Sequence, residues 1–314
     1  MTAGALRDRA RRAAEIAGSP LLYAALGVAK LYRPSFHRTS PTVHRAADRL
    51  GVYPVIDHYH EPLIRPNGAR PRRRELPAID FAVERQLRLL AEFDFADELE
   101  EIPWALADEL GPHYGNVAFP PGDAETFHNV IRRFRPSVVL EIGCGQSTKF
   151  AANALRLNGS GELVCVEPYE NPWLDRLGAG VHRERVEQLD LGFFDRLGEN
   201  DVLFIDSSHV VRPQGDVVHL FGEVLPRLRP GVLVHVHDVF TPWDYPADWM
   251  RRRWLWTEQY LLEALLADSP RYEVVLALHL LHREHPEELR KTCPALAAGR
   301  DPREPSSFWL RVRS

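Results

Sequence analysis

From residue 137 onward, short apolar runs alternate with helical stretches. This is the pattern of βαβ units around a parallel sheet buried on both faces. The runs 138–142, 162–167, 202–206, 232–238 and 272–278 read as strands. Upstream, Ile79, Val83, Leu87 and Leu90 fall on one face of a helix over 79–90. A second helix is expected over 123–134, with Asp123 as N-cap and Pro136 stopping it before the first strand. Residues 65–77, RPNGARPRRRELP, concentrate Pro, Gly and Arg and read as an exposed connection. Residues 19–29, SPLLYAALGVA, form an apolar run too short to span a bilayer. Glu15, Pro20 and Gly27 argue against a secretory signal, leaving a helix that packs on a domain or rests on a membrane surface.

Each of the first four strands ends in or runs into an acidic residue or glycine, and in open α/β sheets the carboxyl ends of strands form the ligand crevice. The first, VVLEIGCGQST over 138–148, breaks into a glycine turn and then a helix beginning near Ser147. Gly143 and Gly145 allow close approach of a ligand to the backbone, and the helix start, with Gln146, Ser147 and Thr148, offers unpaired N–H groups. A dinucleotide fingerprint wants a third glycine where Thr148 stands. Glu141 would repel a pyrophosphate and suits a ligand with a cationic amino acid end, such as S-adenosylmethionine. Glu167 closes the next strand about twenty residues on, where a carboxylate can accept both hydroxyls of a ribose.

Composition fits an ordinary globular protein of 314 residues, 45% hydrophobic and 26% charged. Three cysteines make no even disulfide set and show no metal-finger spacing, which points to a reducing, cytoplasmic setting. The net charge of −5 is unevenly spread: the first 74 residues hold 14 Lys and Arg against 5 Asp and Glu. That basic arm is a solvated face or a weak contact for an anionic partner or membrane surface. No nucleic-acid motif accompanies it.

The runs LFIDSSH (203–209), GDVVHLFGEVLPRLRPG (215–231), VHVHDVFTPWDYP (234–246) and EQYLLEALL (258–266) resemble class I S-adenosylmethionine-dependent O-methyltransferases. They are most similar to a bacterial group related to macrolide-sugar and cephalosporin methyltransferases. YGNVAF and GDAETFHNVIRRFRP extend the likeness to roughly residues 75–280, while residues 1–55 carry little of it. The resemblance implies a Rossmann-like sheet of order 3-2-1-4-5-7-6, helices on both faces and an antiparallel last strand over 307–312. A mainly helical N-terminal extension, 1–122, would contribute to the acceptor entrance of a cofactor-binding domain, 123–314. It implies S-adenosylmethionine as cofactor and a small-molecule acceptor, a sugar or secondary metabolite, and leaves room for a homo-oligomer.

Methyl transfer to a hydroxyl needs a base or a metal beside the acceptor oxygen. Asp206 and His209 follow one strand, and His237 and Asp238 end the next. In the related sugar methyltransferases, acids at the Asp206, 237 and 238 positions hold magnesium and a histidine at the 209 position is the base. The chain matches at Asp206, His209 and Asp238 and departs at His237, whose imidazole favours a transition metal where magnesium prefers oxygen. The expected metal set is therefore Asp206, His237 and Asp238, with His209 and Asp206 in catalysis. His235 is a core residue or supports His237. The alternatives are metal-independent N- or carboxyl-methylation and a non-catalytic S-adenosylmethionine-binding subunit of a biosynthetic complex. Tyr59, Tyr114, Asn116 and Trp243 are expected near the acceptor, and the cluster Asp57, His58, His60 and Glu61 reads as a solvated loop rather than a metal site.

Overall fold

In a computed structural model of the protein, residues 18–31, 41–52, 55, 72–169 and 171–314 are described. Tyr59 and the 57–61 cluster lie outside them. The chain divides into two compact units, Met1–Asn67 and Gly68–Ser314. The first contains helical residues 18–31 and helix α1 (Pro41–Leu50), which buries Ala47. Among the described residues no helix is long and apolar enough to cross a membrane.

The second unit is built on seven strands: β1 (Val138–Ile142), β2 (Glu162–Val166), β3 (Gly180–His182), β4 (Val202–Ile205), β5 (Leu233–Val236), β6 (Tyr272–Ala277) and β7 (Phe308–Val312). Their order is β3-β2-β1-β4-β5-β7-β6, with β7 antiparallel to both its neighbours, as expected. β3, three residues long, went unread in the sequence.

Alternation along the strands feeds two cores. Leu140, Ile142, Val164, Val166, Leu203, Ile205, Val234 and Val236 pack on one face. Val139, Leu163, Cys165, Phe204, Leu233 and Trp309 pack on the other. Register lines up Cys165, Glu141, Phe204, His235 and Trp309 in one row across the sheet. The row is fully buried, so its two polar members need local compensation.

Helix α2 (Val83–Leu90) starts later than the apolar spacing predicts, because Asp80 bonds the Ala82 N–H and Ala82 takes a left-handed backbone. Helix α3 (Ala96–Glu100) follows. Helix α4 (Asp123–Phe134) is capped by Gly122, whose N–H is accepted by Glu125 at 3.0 Å, so Asp123 is its first helical residue and not its cap. Helix α5 (Gln146–Asn158) follows the glycine turn. Helix α6 (Asp216–His219) passes into a π turn and then a tight turn at Pro226. Helices α7 (Ala247–Arg251) and α8 (Glu258–Leu266) precede β6.

Candidate active site

β1, β2, β4 and β5 run parallel, so Gly143, Glu167, Asp206 and Asp238 all emerge at one edge of the sheet. The antiparallel β7 begins at that same edge, bringing Ser306 and Ser307 to it.

The glycine turn is shaped by crowding. Gly143 has φ +81°, and a Cβ there would lie 1.8 Å from the Asp206 carbonyl oxygen. Only glycine lets the ends of β1 and β4 approach so closely. The next N–H, of Cys144, is bonded by Glu167 Oε2 at 3.0 Å, and Glu167 Oε1 takes the Tyr169 N–H at 2.8 Å. Each oxygen retains acceptor capacity for a ligand hydroxyl. Thr148 and Glu141 are wholly buried beneath the turn, where Thr148 Oγ1 accepts the Gly145 N–H. Burial pushes the Glu141 carboxyl up to about 8, an effect that the nearby Ser147 and Thr148 hydroxyls only partly offset.

Two spaces open over this turn. One, of about 650 Å³, is lined by Gly143, Glu167, Arg185, Asp206 and Ser208 among others. The other, of about 170 Å³, is lined by Gly143, Gly145, Gln146, Ser147, Glu167 and Asp206. Of the residues expected to bind cofactor, only Glu141 and Thr148 are absent from these walls.

At the ends of β4 and β5, the donor atoms of Asp206, His209 and Asp238 lie within 4.8 Å of one another. His209 Nε2 is 3.2 Å from Asp206 Oδ1 and 3.7 Å from Asp238 Oδ2. His209 Nδ1 is 2.9 Å from Glu258 Oε2, and Trp256 covers the ring at 4.3 Å between centroids. Burial pulls the imidazole pKa down, but Asp206, Glu258 and Asp238 outweigh it and carry it up to about 10. Burial would raise Asp206, yet His237 and His209 hold its carboxyl well below the usual range. Both His209 and Asp238 have left-handed backbones, φ +60° and +56°, a conformation that costs energy outside glycine and recurs at functional sites.

His237 stands beside this trio. Its Nδ1 is 3.5 Å from Asp238 and 3.7 Å from Asp206, and its Nε2 is 3.4 Å from Asp123. Burial disfavours its charged form, but Asp238, Asp206 and Asp123 together raise its pKa well above the ordinary value. Asp123, wholly buried, also accepts the Ser306 and Ser307 N–H groups. Ser306 Oγ in turn donates to Asp238 Oδ1 at 3.1 Å. His235 is a buried core residue, bonded to Ser307 Oγ at 2.8 Å and stacked on Phe204.

Beyond Asp238 lies a cavity of about 760 Å³ whose walls include Ala118, Phe240, Trp249, Trp254, Trp256 and Ser306. Ala118 also lines the smaller of the two spaces over the glycine turn. Three residues expected near the acceptor are not on its walls. Tyr114 is core, its hydroxyl donating to the Leu99 carbonyl. Asn116 braces its loop by accepting the Ala118 and Phe119 N–H groups. Trp243 packs against the core and His279. Glu258, Asp123 and Ser306 are not marked as site residues by the sequence: each meets its partner across a long sequence separation, and no local spacing points to them.

Residues 140–239, less than half of the chain, match a family model described as a methyltransferase domain. No curated protein matches the chain. It is similar to the solved structure of an O-methyltransferase from Bacillus cereus in complex with SAH, at 18% identity over 75% of this chain and 91% of that one, with TM-score 0.36. It is also similar to the O-methyltransferase TomG from Streptomyces achromogenes, involved in tomaymycin synthesis, in complex with SAM, at 20% identity over 72% and 90%, with TM-score 0.33. A plantazolicin methyltransferase, BpumL, gives 14% identity over 74% and 97%, with TM-score 0.41. At TM-scores below 0.5 these are likenesses alone. Residues 140–239 thus match a methyltransferase domain, and they lie in a sheet of order β3-β2-β1-β4-β5-β7-β6.

Proposed function

We propose that the chain is an O-methyltransferase that transfers the methyl group of S-adenosylmethionine to a hydroxyl of a sugar or secondary metabolite, assisted by a divalent cation, as in the bacterial group it resembles. One observation carries this reading: Asp206 lines the crevice over the glycine turn, Asp238 lines the aromatic cavity, and His209 Nε2 faces both carboxylates. On this reading an imidazole flanked by carboxylates lies between the crevice over the glycine turn, which would hold the methyl donor, and the aromatic cavity, which would hold the acceptor. Glu167 would take the ribose hydroxyls, and the spaces beside Gly143 and Gly145 would admit the nucleoside and its amino acid end.

The donor set fits a divalent cation, since three ligand atoms converge within 4.8 Å and two of the groups are carboxylates. Asp206 and Asp238 would hold it, with His209 facing the same point and His237, pinned by Asp123, supporting from behind. A cation there would supply Lewis acidity toward the acceptor oxygen and offset the carboxylates that retain the His209 proton. In the transfer itself the C–S bond of the sulfonium breaks as the O–CH3 bond forms, and the hydroxyl proton leaves to His209. Glu258 fixes the other ring nitrogen. The aromatic walls of the cavity suit the apolar face of a hydroxylated ring.

A second reading is metal-independent methylation, favoured by one feature: the His209 and His237 rings each lie within 4 Å of both Asp206 and Asp238, which favour their charged forms. Extract supplied with labelled cofactor identifies a methylated product, and turnover of that product decides between the two. We expect chelation, Asp238→Ala and His209→Ala each to abolish transfer while adenosyl-ligand binding persists by calorimetry. Turnover surviving chelation and Asp238→Ala sinks the metal reading, and turnover in His209→Ala removes the base. Glu167→Ala is expected to lose ligand binding, and normal binding by it would remove the ribose contact. The three free, buried thiols fit a reducing compartment, and we place the enzyme in the cytoplasm.

A further inference from the structure

The first compact unit carries a surface that nothing in the methyltransferase reading uses. Helical residues 18–31 contain no acidic residue and one cation, Lys30. Leu21, Leu22, Tyr23, Leu26, Val28 and Leu31 are each more than half exposed, Leu21, Tyr23 and Leu31 above three quarters. At about 100° per residue these six positions surround the helix, so no single apolar stripe packs inward while a polar face meets water. A helix apolar all round needs apolar surroundings. At ~1.5 Å per residue the described residues 18–31 extend about 21 Å, short of the ~30 Å hydrocarbon core. That reach suits a segment lying in a bilayer surface.

Charge selects the occupant. The first forty residues hold seven Lys and Arg against two Asp and Glu, with Arg7, Arg9, Arg11 and Arg12 preceding the helix in sequence and Lys30 and Arg33 at or after its end. A second copy of the chain would bring two such cationic flanks together. An anionic lipid surface instead attracts them, by about 1 kcal/mol per basic residue near it, while the apolar side chains enter the acyl boundary. We infer that residues 18–31 dock the protein on the surface of an anionic phospholipid bilayer, with the flanking arginines supplying the electrostatic part of the affinity. The enzyme would then work beside a membrane.

Flotation of the full chain with vesicles of phosphatidylcholine alone, or of phosphatidylcholine mixed with phosphatidylglycerol, tests this. The chain is expected to float with the mixed vesicles, at least tenfold less with the neutral ones, and less as salt is raised. The variant Leu22→Glu/Leu26→Glu, whose glutamates remain good helix formers, should lose flotation. Arg9→Gln/Arg11→Gln/Arg12→Gln should lose most of it and its salt dependence while leaving the sequence of residues 18–31 unchanged. The inference is overturned by no flotation with mixed vesicles, by equal flotation of both variants and the parent, or by a lipid-free oligomer that the leucine variant dissociates. Adenosyl-ligand binding belongs to residues of the other unit and should be unchanged in both variants, so this test fails or succeeds separately from the proposed reaction.

Discussion

Glu258 decides which nitrogen of His209 faces the cluster. It is 1% exposed and lies 2.9 Å from Nδ1, leaving Nε2 toward Asp206 and Asp238. Removing its charge while keeping its shape should loosen the ring's orientation without touching the cofactor crevice. Glu258→Gln is therefore expected to slow single-turnover transfer about 10–100-fold, the usual effect of losing such a partner, with adenosyl-ligand affinity unchanged by calorimetry. Glu141 gives a prediction of another kind. Its folded pKa of about 8 lies above the ordinary 4.5, so as pH rises the unfolded chain releases this proton first. Stability of the ligand-free protein should fall between about pH 4.5 and about 8 on this account. Glu141→Gln should flatten that slope and raise the melting temperature near pH 8, as read by thermal unfolding near both ends of the window. The sequence made Glu141 visible as an acid before a glycine turn, but not its depth: burial depends on the row of side chains that the register assembles around it.

Among the elements, the turn after β1 is the most constrained. Gly143→Ala would place a methyl group within 1.8 Å of the Asp206 carbonyl at a left-handed φ. We expect adenosyl-ligand binding to be lost or weakened severely, with a lower melting temperature, since β1 and β4 must separate to admit it; calorimetry and thermal unfolding check both. Four of the seven strands are legible as apolar runs ended by a glycine or acid and β6 as an apolar run alone, while β7 is expected only through the family resemblance. β3 is not legible, because three residues carry no periodicity. Helix starts were displaced for local reasons: Glu125 bonds the Gly122 N–H, making glycine the cap of α4, and Asp80 takes the N–H that precedes α2. The residues that complete the candidate site, Asp123 and Ser306, come from elements 183 positions apart, and only the folded sheet brings them to one edge.

For the molecule as a whole, the division after Asn67 predicts separable behaviour. A chain of residues 68–314 should fold, bind adenosyl ligand and unfold at a midpoint close to that of the full protein; failure to bind would show that the first unit is required. The larger unit has an order of assembly written into its topology. β7 follows every other strand in sequence yet sits between β5 and β6. Just before it, Ser306 and Ser307 bind the carboxylate that faces His237, and Ser306 also reaches Asp238. During synthesis, then, a ribosome that has delivered Asp206, His209 and Asp238 has not yet delivered the serines that brace them. Until residue 312 clears the exit, β5 keeps a bare edge, β6 has no neighbour, and the carboxylates and imidazoles at the sheet's end stand unbraced on that side.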